Sequence, residues 1–228
     1  MNLSLVIPAY NEAGNLEEIV GWALKALPRF VSDFEVLVID DGSTDGTSRL
    51  ADRLAEKNEA LRVIHHPRNL GYGQAQISGF QNARGELVAL VPADNQFHIE
   101  DLARYLPLVK NADVILGIRT QRQDTLLRKV VSRVFNFSMA LIFGLRFKDI
   151  NWVKLYKRKV LRVIDIECDG FAIDAEILIK ARKKGFRFAQ VEVPHYPRRW
   201  GQPTGVNIRN ILGTMRELLW LWKRMRSL

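Results

Sequence analysis

Apolar and polar positions follow a regular order in the first half of the chain. Short apolar runs predict strands at residues 3–7, 34–39, 61–64, 87–91 and 113–116. Between them, apolar residues at helical spacing predict helices over residues 13–27, through Leu50 and Leu54, over residues 74–83 and near 99–109. Strands that alternate with helices are typical of a parallel sheet covered by helices, so we expect an α/β fold.

The second half of the chain has a less regular pattern. It predicts an amphipathic helix over 126–143, a strand over 147–156, a helix over 171–184, a strand over 186–193 and a final helix over 207–225. No internal repeat or low-complexity linker divides the 228 residues. At this length we expect a single domain, 1–228, with one hydrophobic core.

Polar clusters follow three of the predicted strands. They are Pro8-Ala9-Tyr10-Asn11-Glu12, Asp40-Asp41-Gly42-Ser43 and Pro92-Ala93-Asp94-Asn95-Gln96. Ligands of open α/β sheets bind at the carboxyl ends of the strands, so all three clusters should converge on one crevice. Ser43 and Thr44 are also candidates for the N-cap of the next helix.

The net charge of +9 is divided unevenly along the chain. Residues 1–118 carry 10 Lys+Arg and 16 Asp+Glu, whereas residues 119–228 carry 24 and 9. A basic second half indicates an anionic partner, with a solvated charged face as the alternative. The only cysteine, Cys168, excludes an intrachain disulfide and fits a reducing compartment. We expect no transmembrane helix, because no apolar run reaches about 18 residues, and no signal peptide, because the first residues lack a basic n-region and soon become polar.

Several function classes lack their sequence signals. There is no G-x-G-x-x-G after the first strand, no P-loop, and no glycine-rich N-terminal loop of a nucleotidyltransferase. Nucleic-acid binding is motivated by charge alone, without helix-turn-helix, zinc or RNP signatures, so we expect no nucleic-acid partner. His65, His66, His98 and His195 lack metal-ligand spacing, and we interpret them as structural.

Carboxylates at the strand ends carry the remaining nucleotide-binding chemistry. Asp40 or Asp41 could accept hydrogen bonds from a base or ribose, with capping of the next helix as the alternative. Asp94 and Gln96 offer a carboxylate and an amide oxygen that suit Mg²⁺ or Mn²⁺ beside a diphosphate. An ordinary polar turn is the alternative for this cluster when it is considered alone.

The ordered set of motifs resembles the family 2 glycosyltransferases of GT-A fold. The motifs are V-I-P-A-Y-N-E, V-I-D-D-G-S-T-D-G-T, N-L-G-Y-G-Q-A and P-A-D-N-Q-F, followed by G-I-R, R-K-V-V-S, D-I-N-W-V-K-L-Y, Glu176 and V-P-H-Y-P-R-R-W-G. The later motifs resemble the polyprenyl-phosphate hexose synthase branch, which includes dolichol-phosphate mannose synthase. The resemblance covers nearly the whole chain, and the order and spacing of the motifs make it specific.

The resemblance implies roles for particular residues. It implies a nucleotide-sugar-binding half, 1–118, an acceptor- and membrane-facing half, 119–228, and an inverting transfer of a hexose from GDP-mannose or a UDP-sugar to a polyprenyl phosphate. Pro8, Tyr10, Glu12 and Asp40 or Asp41 would hold the nucleoside, and Asp94 and Gln96 would hold the metal. The acceptor phosphate would meet Arg119, Arg128 and Ser132, with Arg198 or Arg199 nearby, and the catalytic residues would be Asp94, Arg119, Arg128 and Ser132.

Two positions depart from the family pattern. Pro92 replaces the first aspartate of D-x-D, so the metal would rest on Asp94, Gln96, the diphosphate and water. Val153 replaces a glycine that is common in the later motif. Weak metal binding, or a degenerate protein that only binds nucleotide sugars, therefore stays open.

A phosphate acceptor also fits the chemistry of the basic half. A phosphate monoester is ionised near neutral pH and attacks without a general base, whereas a hydroxyl acceptor needs one. Guanidinium groups suit phosphate oxygens, and the candidates are Arg119, Arg128, Arg133, Arg198 and Arg199. For a sugar or protein hydroxyl acceptor, the candidate bases would be Asp149 and Glu176.

Apolar stretches flanked by basic residues indicate amphipathic interfacial helices in the second half. Residues 134–147 are mostly apolar, with Arg133, Arg146 and Lys148 at the edges of the stretch. The tail places Trp220 and Trp222 beside basic residues. Packing of both helices on the core is the alternative. We expect a cytoplasmic protein that is peripheral at the inner face of a membrane.

Overall fold

The computed structural model describes residues 2–122, 124–197 and 208–226. Its strands are β1 (Asn2–Ala9), β2 (Asp33–Asp40), β3 (Leu61–His65), β4 (Leu87–Leu90), β5 (Val114–Thr120), β6 (Lys154–Lys157) and β7 (Phe188–Pro194). Its α-helices are α1 (Ala13–Ala26), α2 (Thr47–Glu56), α3 (Tyr72–Asn82), α4 (Leu126–Phe143), α5 (Arg158–Arg162), α6 (Ile173–Lys183) and α7 (Ile208–Arg226). Short 3₁₀ turns cover Leu27–Arg29, Ile99–Arg104 and Leu106–Lys110.

The strands form one mixed sheet in the order β3-β2-β1-β4-β6-β5-β7. All neighbouring pairs are parallel except those of β6, which runs antiparallel between β4 and β5. The sheet is therefore mostly parallel, as the alternating pattern predicts. The carboxyl ends of β1, β2 and β4 lie side by side, because β1 pairs with both β2 and β4.

Apolar side chains cover the sheet on both faces. Alternate residues of β1 point to opposite sides, so Leu5 and Ile7 pack with α1 on one face and Val6 packs with α3 on the other. Helix α6 adds buried residues such as Ile177 to the second face. Burial on both faces explains why the parallel strands are continuous apolar runs.

The structure corrects three local expectations. The helix after β2 begins at Thr47, with Gly46 at the N-cap, so the assignment of Ser43 and Thr44 as N-cap candidates was wrong. The helix expected near 99–109 consists of two 3₁₀ turns, the second of which has Pro107 in its first turn. Strand β6 covers Lys154–Lys157, so it includes only the last three residues of the expected strand over 147–156.

Helix α4 agrees with its expected bounds, and Thr125 caps its N-terminus by accepting a hydrogen bond from the backbone N–H of Arg128. Gly144 ends the helix in the left-handed conformation with φ +68°. Of the helices that the structure describes, none has both the length and the apolar character needed to cross a membrane.

Candidate active site

A cleft of about 970 Å³ opens at the carboxyl ends of β1, β2 and β4. The three polar clusters contribute Pro8, Tyr10, Glu12, Asp41, Asp94 and Gln96 to its walls. It continues past Arg119, Arg128 and Ser132 to apolar side chains of α4 and α7. The structure thus brings polar strand ends, basic residues and an apolar wall into one space.

The loop after β1 is held by the loop after β2. Asn11 adopts a left-handed conformation with φ +54°; its N–H donates to the Ser43 hydroxyl, and its side-chain oxygen accepts from the Thr44 N–H at 2.8 Å. The N–H of Glu12 donates to Thr47 Oγ1 at 2.9 Å. These bonds leave the exposed Tyr10 ring on the cleft, where a base or ribose can pack against it.

Asp40 and Asp41 have different surroundings. Asp40 accepts hydrogen bonds from Ser48 and the Ser43 N–H and contacts His65 Nδ1 at 2.8 Å. Burial acts to raise the pKa of Asp40, but these hydrogen bonds outweigh it and hold the pKa below its usual value. Asp40 therefore fixes the loop after β2.

Asp41 lines the cleft and organises a neighbouring loop. Its carboxylate accepts from the backbone N–H groups of Leu70 at 2.8 Å and Gly71 at 2.9 Å, and it contacts His66 Nδ1 at 2.7 Å. Gly42 next to it has φ +69°, and a Cβ there would collide with the backbone of Arg68. Of the two aspartates, Asp41 is the one placed to meet a nucleoside, and that role stays a prediction.

Asp94 and Gln96 lie together on the cleft after β4. Asp94 Oδ1 accepts from the Gln96 N–H at 3.2 Å, and Asn95 between them is left-handed with φ +57°. Gln96 Nε2 donates to the backbone oxygen of Tyr196 at 3.4 Å and lies 3.3 Å from His195 Nε2. Because the backbone oxygen of Tyr196 can only accept, the Gln96 side chain must turn its amide nitrogen towards it. The amide oxygen of Gln96 then points in another direction.

His195 contributes to this orientation as a neutral imidazole. Burial and the nearby charges of Arg119, Arg122 and Arg128 lower the pKa of His195 to about 4, against the opposing influence of Asp124. An unprotonated Nε2 accepts a hydrogen bond from the Gln96 amide. His195 thus keeps the structural role expected from the sequence, and the structure adds that it orients a residue of the cleft.

The donor atoms at Asp94 and Gln96 fit a hard divalent cation. A carboxylate oxygen and an amide oxygen are ligands that Mg²⁺ and Mn²⁺ accept, and a diphosphate and water would complete the shell. Within the described part of the chain, no group of three or more His, Cys, Asp or Glu residues is arranged to hold a metal. Pro92 also lines the cleft but offers no ligand. A metal held by Asp94 and Gln96 would therefore need the substrate and water for its remaining ligands.

Arg119 is anchored more firmly than its expected role suggests. Its Nε and Nη2 contact the two carboxylate oxygens of Asp149 at 2.7 and 2.9 Å, and its guanidinium lies 4.7 Å from the centre of the Trp152 ring. Arg128 and Ser132, on the first turns of α4, line the cleft beside it. Arg198 and Arg199, the other residues expected at the acceptor phosphate, lie outside the described residues.

The structure adds polar residues that the motifs did not identify. Lys154 and Asp174 form an ion pair of 2.9 Å on the cleft, where Tyr72 also lies. Burial, together with the charges of Asp174 and Asp94, raises the pKa of Tyr72 well above its usual value. Arg122 lines the cleft together with Arg128 and Ser132. A lysine in the short, buried strand β6 was the sequence signal that could have identified Lys154.

Glu176 has a structural role. Its buried carboxylate accepts from the N–H groups of Glu167 and Cys168, at 2.8 Å for Cys168, and pairs with Lys180 at 2.6 Å. Burial raises the pKa of the neighbouring Cys168 thiol. Glu176 thus fixes the segment before α6.

Solved structures with the same fold define the class of this protein. Glucosyl-3-phosphoglycerate synthase from Mycobacterium tuberculosis, solved with Mn²⁺, UDP and phosphoglyceric acid, matches with a TM-score of 0.72 and 18% identity, over 97% of this chain and 78% of that one. S. aureus TarS 1-349 in complex with UDP-GlcNAc matches with a TM-score of 0.68 and 19% identity, over 97% and 66%. The fold is that of the GT-A glycosyltransferases.

Sequence comparison gives the family. The Glycosyl transferase family 2 model matches residues 4–181, and the chain belongs to that family of glycosyltransferases. Polyprenol monophosphomannose synthase of Mycolicibacterium smegmatis is 32% identical over 93% of this chain and 85% of its own length. Undecaprenyl-phosphate mannosyltransferase of Micrococcus luteus is 29% identical over 89% and 86%. Glycosyltransferase AglD of Haloferax volcanii is 30% identical over 97% of this chain, which spans 37% of that protein.

Proposed function

We propose that this protein transfers a hexose from a nucleotide diphosphate sugar, GDP-mannose or a UDP-sugar, to a polyprenyl phosphate in one inverting displacement at a membrane surface. The observation that carries the proposal is the continuous cleft. It runs from the strand ends past Asp94 to a cluster of arginines and then to the apolar wall of α4 and α7. The names of two relatives, a polyprenol monophosphomannose synthase and an undecaprenyl-phosphate mannosyltransferase, support a lipid phosphate acceptor.

The donor would occupy the half of the cleft formed by the parallel strands. Tyr10, Glu12 and Asp41 would meet the nucleoside, and Asp94 and Gln96 would hold Mg²⁺ or Mn²⁺. The metal would supply positive charge to the departing nucleotide diphosphate. Lys154 adds a buried ammonium group to the same cleft, partly neutralised by Asp174.

The acceptor side favours a phosphate over a hydroxyl. A hydroxyl acceptor needs a base on the cleft, and the two candidates, Asp149 and Glu176, are bound by Arg119 and Lys180. Asp174 does line the cleft, but it is engaged in a 2.9 Å ion pair with Lys154. A phosphate monoester needs only cations to position it, and the arginines supply them.

An exposed apolar stripe on α4 fits a membrane surface beside the cleft. Its members recur every three or four residues and are 47–78% exposed; they are Leu126, Val130, Val134, Phe137 and Leu141. Helix α7 adds the exposed Met215, Leu219 and Trp220. Such stripes beside basic residues are typical of helices that lie in a lipid interface. We propose peripheral binding at the inner, cytoplasmic face, with the acceptor's hydrocarbon chain entering along α4.

A transfer assay tests the proposal. Purified protein is given a panel of labelled nucleotide sugars with Mg²⁺ or Mn²⁺, and undecaprenyl phosphate, undecaprenol or a free hexose in detergent. We expect sugar transfer to the lipid phosphate alone. Transfer to the hexose would favour the hydroxyl-acceptor alternative. Nucleotide-sugar binding without turnover on any acceptor would indicate a degenerate binding protein, which the substitution at Pro92 keeps as the second candidate.

A further inference from the structure

Three guanidinium groups meet at one buried carboxylate just before α4. Asp124 Oδ2 lies 2.7 Å from Arg122 Nη2 and 3.4 Å from Arg119 Nη1, and Oδ1 lies 3.2 Å from Arg128 Nη1. Burial acts to raise the pKa of Asp124, but the arginines outweigh it and hold the pKa below its usual range. The carboxylate is therefore charged and serves as a common anchor for the three arginines.

The arginines face the cleft, whereas their anchor lies behind them. Arg119, Arg122 and Arg128 all line the cleft, but Asp124 is not among the described residues that do, and its side chain is 1% exposed. Exposure of the guanidinium side chains rises from 5% for Arg119 through 18% for Arg122 to 32% for Arg128. Arg119 is thus the most enclosed, and the other two are the more accessible to an anion in the cleft.

The charges at this end of the cleft leave a net attraction for anions. The three arginines are opposed by Asp124 and Asp149, which leaves one unit of positive charge. The N-terminus of the 18-residue helix α4 adds partial positive charge at the same point. Asp124 Oδ1 is buried and accepts no hydrogen bond, so its 3.2 Å contact with Arg128 is an electrostatic one and leaves the guanidinium hydrogens of Arg128 available to another anion.

Arg122 also prepares the hydroxyl group of Ser132. Arg122 Nη1 donates to Ser132 Oγ at 3.0 Å, while its Nε and Nη2 bind Asp124. A hydroxyl oxygen that accepts from a guanidinium keeps its own proton to donate. Ser132 lines the cleft, so this proton is available to an oxygen of a bound anion.

We propose that Arg122 binds the phosphate monoester of the acceptor, and that Asp124 is the positioning residue that assembles Arg119, Arg122 and Arg128 for it. This rests on the proposed function for the identity of the acceptor. Without Asp124, three like charges would repel one another and the guanidinium groups would separate. With it, they stay within reach of one tetrahedral anion.

Binding experiments test these roles without requiring turnover. Calorimetry measures the affinity of farnesyl phosphate, farnesol and inorganic phosphate for the wild type, Arg122→Ala, Arg122→Lys and Asp124→Asn. The matched control is Asp113→Asn, since Asp113 is also a buried carboxylate contacted by three cations, Lys157, Lys159 and Arg187, but lies outside the cleft. UDP or GDP binding in the presence of Mn²⁺ reports on the donor half.

We expect farnesyl phosphate to bind the wild type and farnesol to bind far more weakly. Arg122→Ala and Asp124→Asn should each weaken farnesyl phosphate binding about tenfold, as for the loss of one charge-assisted hydrogen bond. Arg122→Lys should recover only part of it, because an ammonium lacks the guanidinium fork. The affinity for UDP or GDP should stay unchanged in all these variants. Asp113→Asn should bind farnesyl phosphate as tightly as the wild type does.

Other results would overturn the inference. Tighter farnesyl phosphate binding by Asp124→Asn would show that the carboxylate competes with the acceptor and does not position its ligands. Wild-type affinity in folded Arg122→Ala would remove Arg122 from the site, while lipid-phosphate transfer and the proposed function would still stand. If Asp124→Asn does not fold, Asp124→Glu and Arg122→Ala decide the same question. If the wild type binds inorganic phosphate and farnesol as tightly as it binds farnesyl phosphate, the proposal of a lipid phosphate acceptor itself would be refuted.

Discussion

At the scale of single residues, the proposed metal site depends on one carboxylate. Asp94 and Pro92 both line the cleft, and only the aspartate offers a ligand. We expect Asp94→Asn to lower kcat at least about 100-fold, since the charge that balances the cation is lost. Circular dichroism should show an intact fold, and calorimetry should show weaker Mn²⁺ binding with UDP. The control is the exposed Glu100→Gln. Full activity of Asp94→Asn in metal-free buffer would refute the metal assignment.

The same position offers a gain-of-function test. Pro92→Asp restores a second carboxylate on the cleft beside Asp94. Because hard cations bind more tightly as the number of charged oxygen ligands rises, we expect Mn²⁺ affinity in the presence of a nucleoside diphosphate to rise about tenfold. Pro92→Ala is the matched control, since it removes the ring without adding a ligand. Equal Mn²⁺ affinity in both variants would show that residue 92 does not face the ion.

At the scale of elements, the segment before α6 depends on Glu176. The fully buried carboxylate binds the N–H groups of Glu167 and Cys168 and pairs with Lys180. Glu176→Ala should lower the free energy of unfolding by about 3 kcal/mol, because buried donors and a cation lose their partner. Urea denaturation measures this, with the exposed Glu192→Ala as the control. A catalytic base would instead lose turnover while stability is retained.

His65 joins the ends of β2 and β3 to α2 through Asp40 and Asp52. Burial acts to lower the pKa of His65, but these carboxylates raise it above its usual 6.5. The stabilisation from charged His65 is therefore complete below pH 6.5, and it is lost as the pH rises through the raised pKa of the folded protein. The side chain is 39% exposed, so solvent screening limits the loss to less than about 1 kcal/mol. The free energy of unfolding, measured with urea, should therefore be lower at pH 8.5 than at pH 6, and His65→Asn should abolish the difference.

At the scale of the whole molecule, the long helices α4 and α7 of the basic half each bury one face and expose the other. Leu221 of α7 is fully buried, and Glu217 accepts from the N–H groups of Gly170 and Ala172. Trp220 points outward and is 43% exposed. Packing of the tail on the core is thus confirmed for one face, and binding of the exposed face to a membrane stays a prediction. Deletion of the tail would remove a core residue, so substitutions on the exposed face are the sharper test of membrane binding.

The α4 stripe gives that test. Phe137→Glu with Leu141→Glu should reduce binding to anionic liposomes about tenfold or more in high salt, because buried apolar area resists salt and charge attraction does not. Wild-type protein should bind strongly in low salt and detach partly in high salt. The control is the exposed Val163→Glu, which lies off α4. Liposome sedimentation measures the bound fraction in low salt and in high salt. Wild-type protein that ignores anionic liposomes at low ionic strength would contradict the proposed interface.

The sequence alone determined the alternation of strands and helices, the polar strand ends and the bounds of α4, because periodicity and end signals are local properties of the chain. Side-chain partners were decided by tertiary structure. The resemblance assigned Arg119 to an acceptor phosphate, but it could not show that Asp149, 30 residues away, holds the guanidinium group in place on the cleft. It left Lys154 unnoticed, and the antiparallel insertion of β6 between β4 and β5 brings that lysine to the cleft. A buried charge takes whichever partner the packed sheet places beside it, and that choice depends on contacts between segments far apart in the chain.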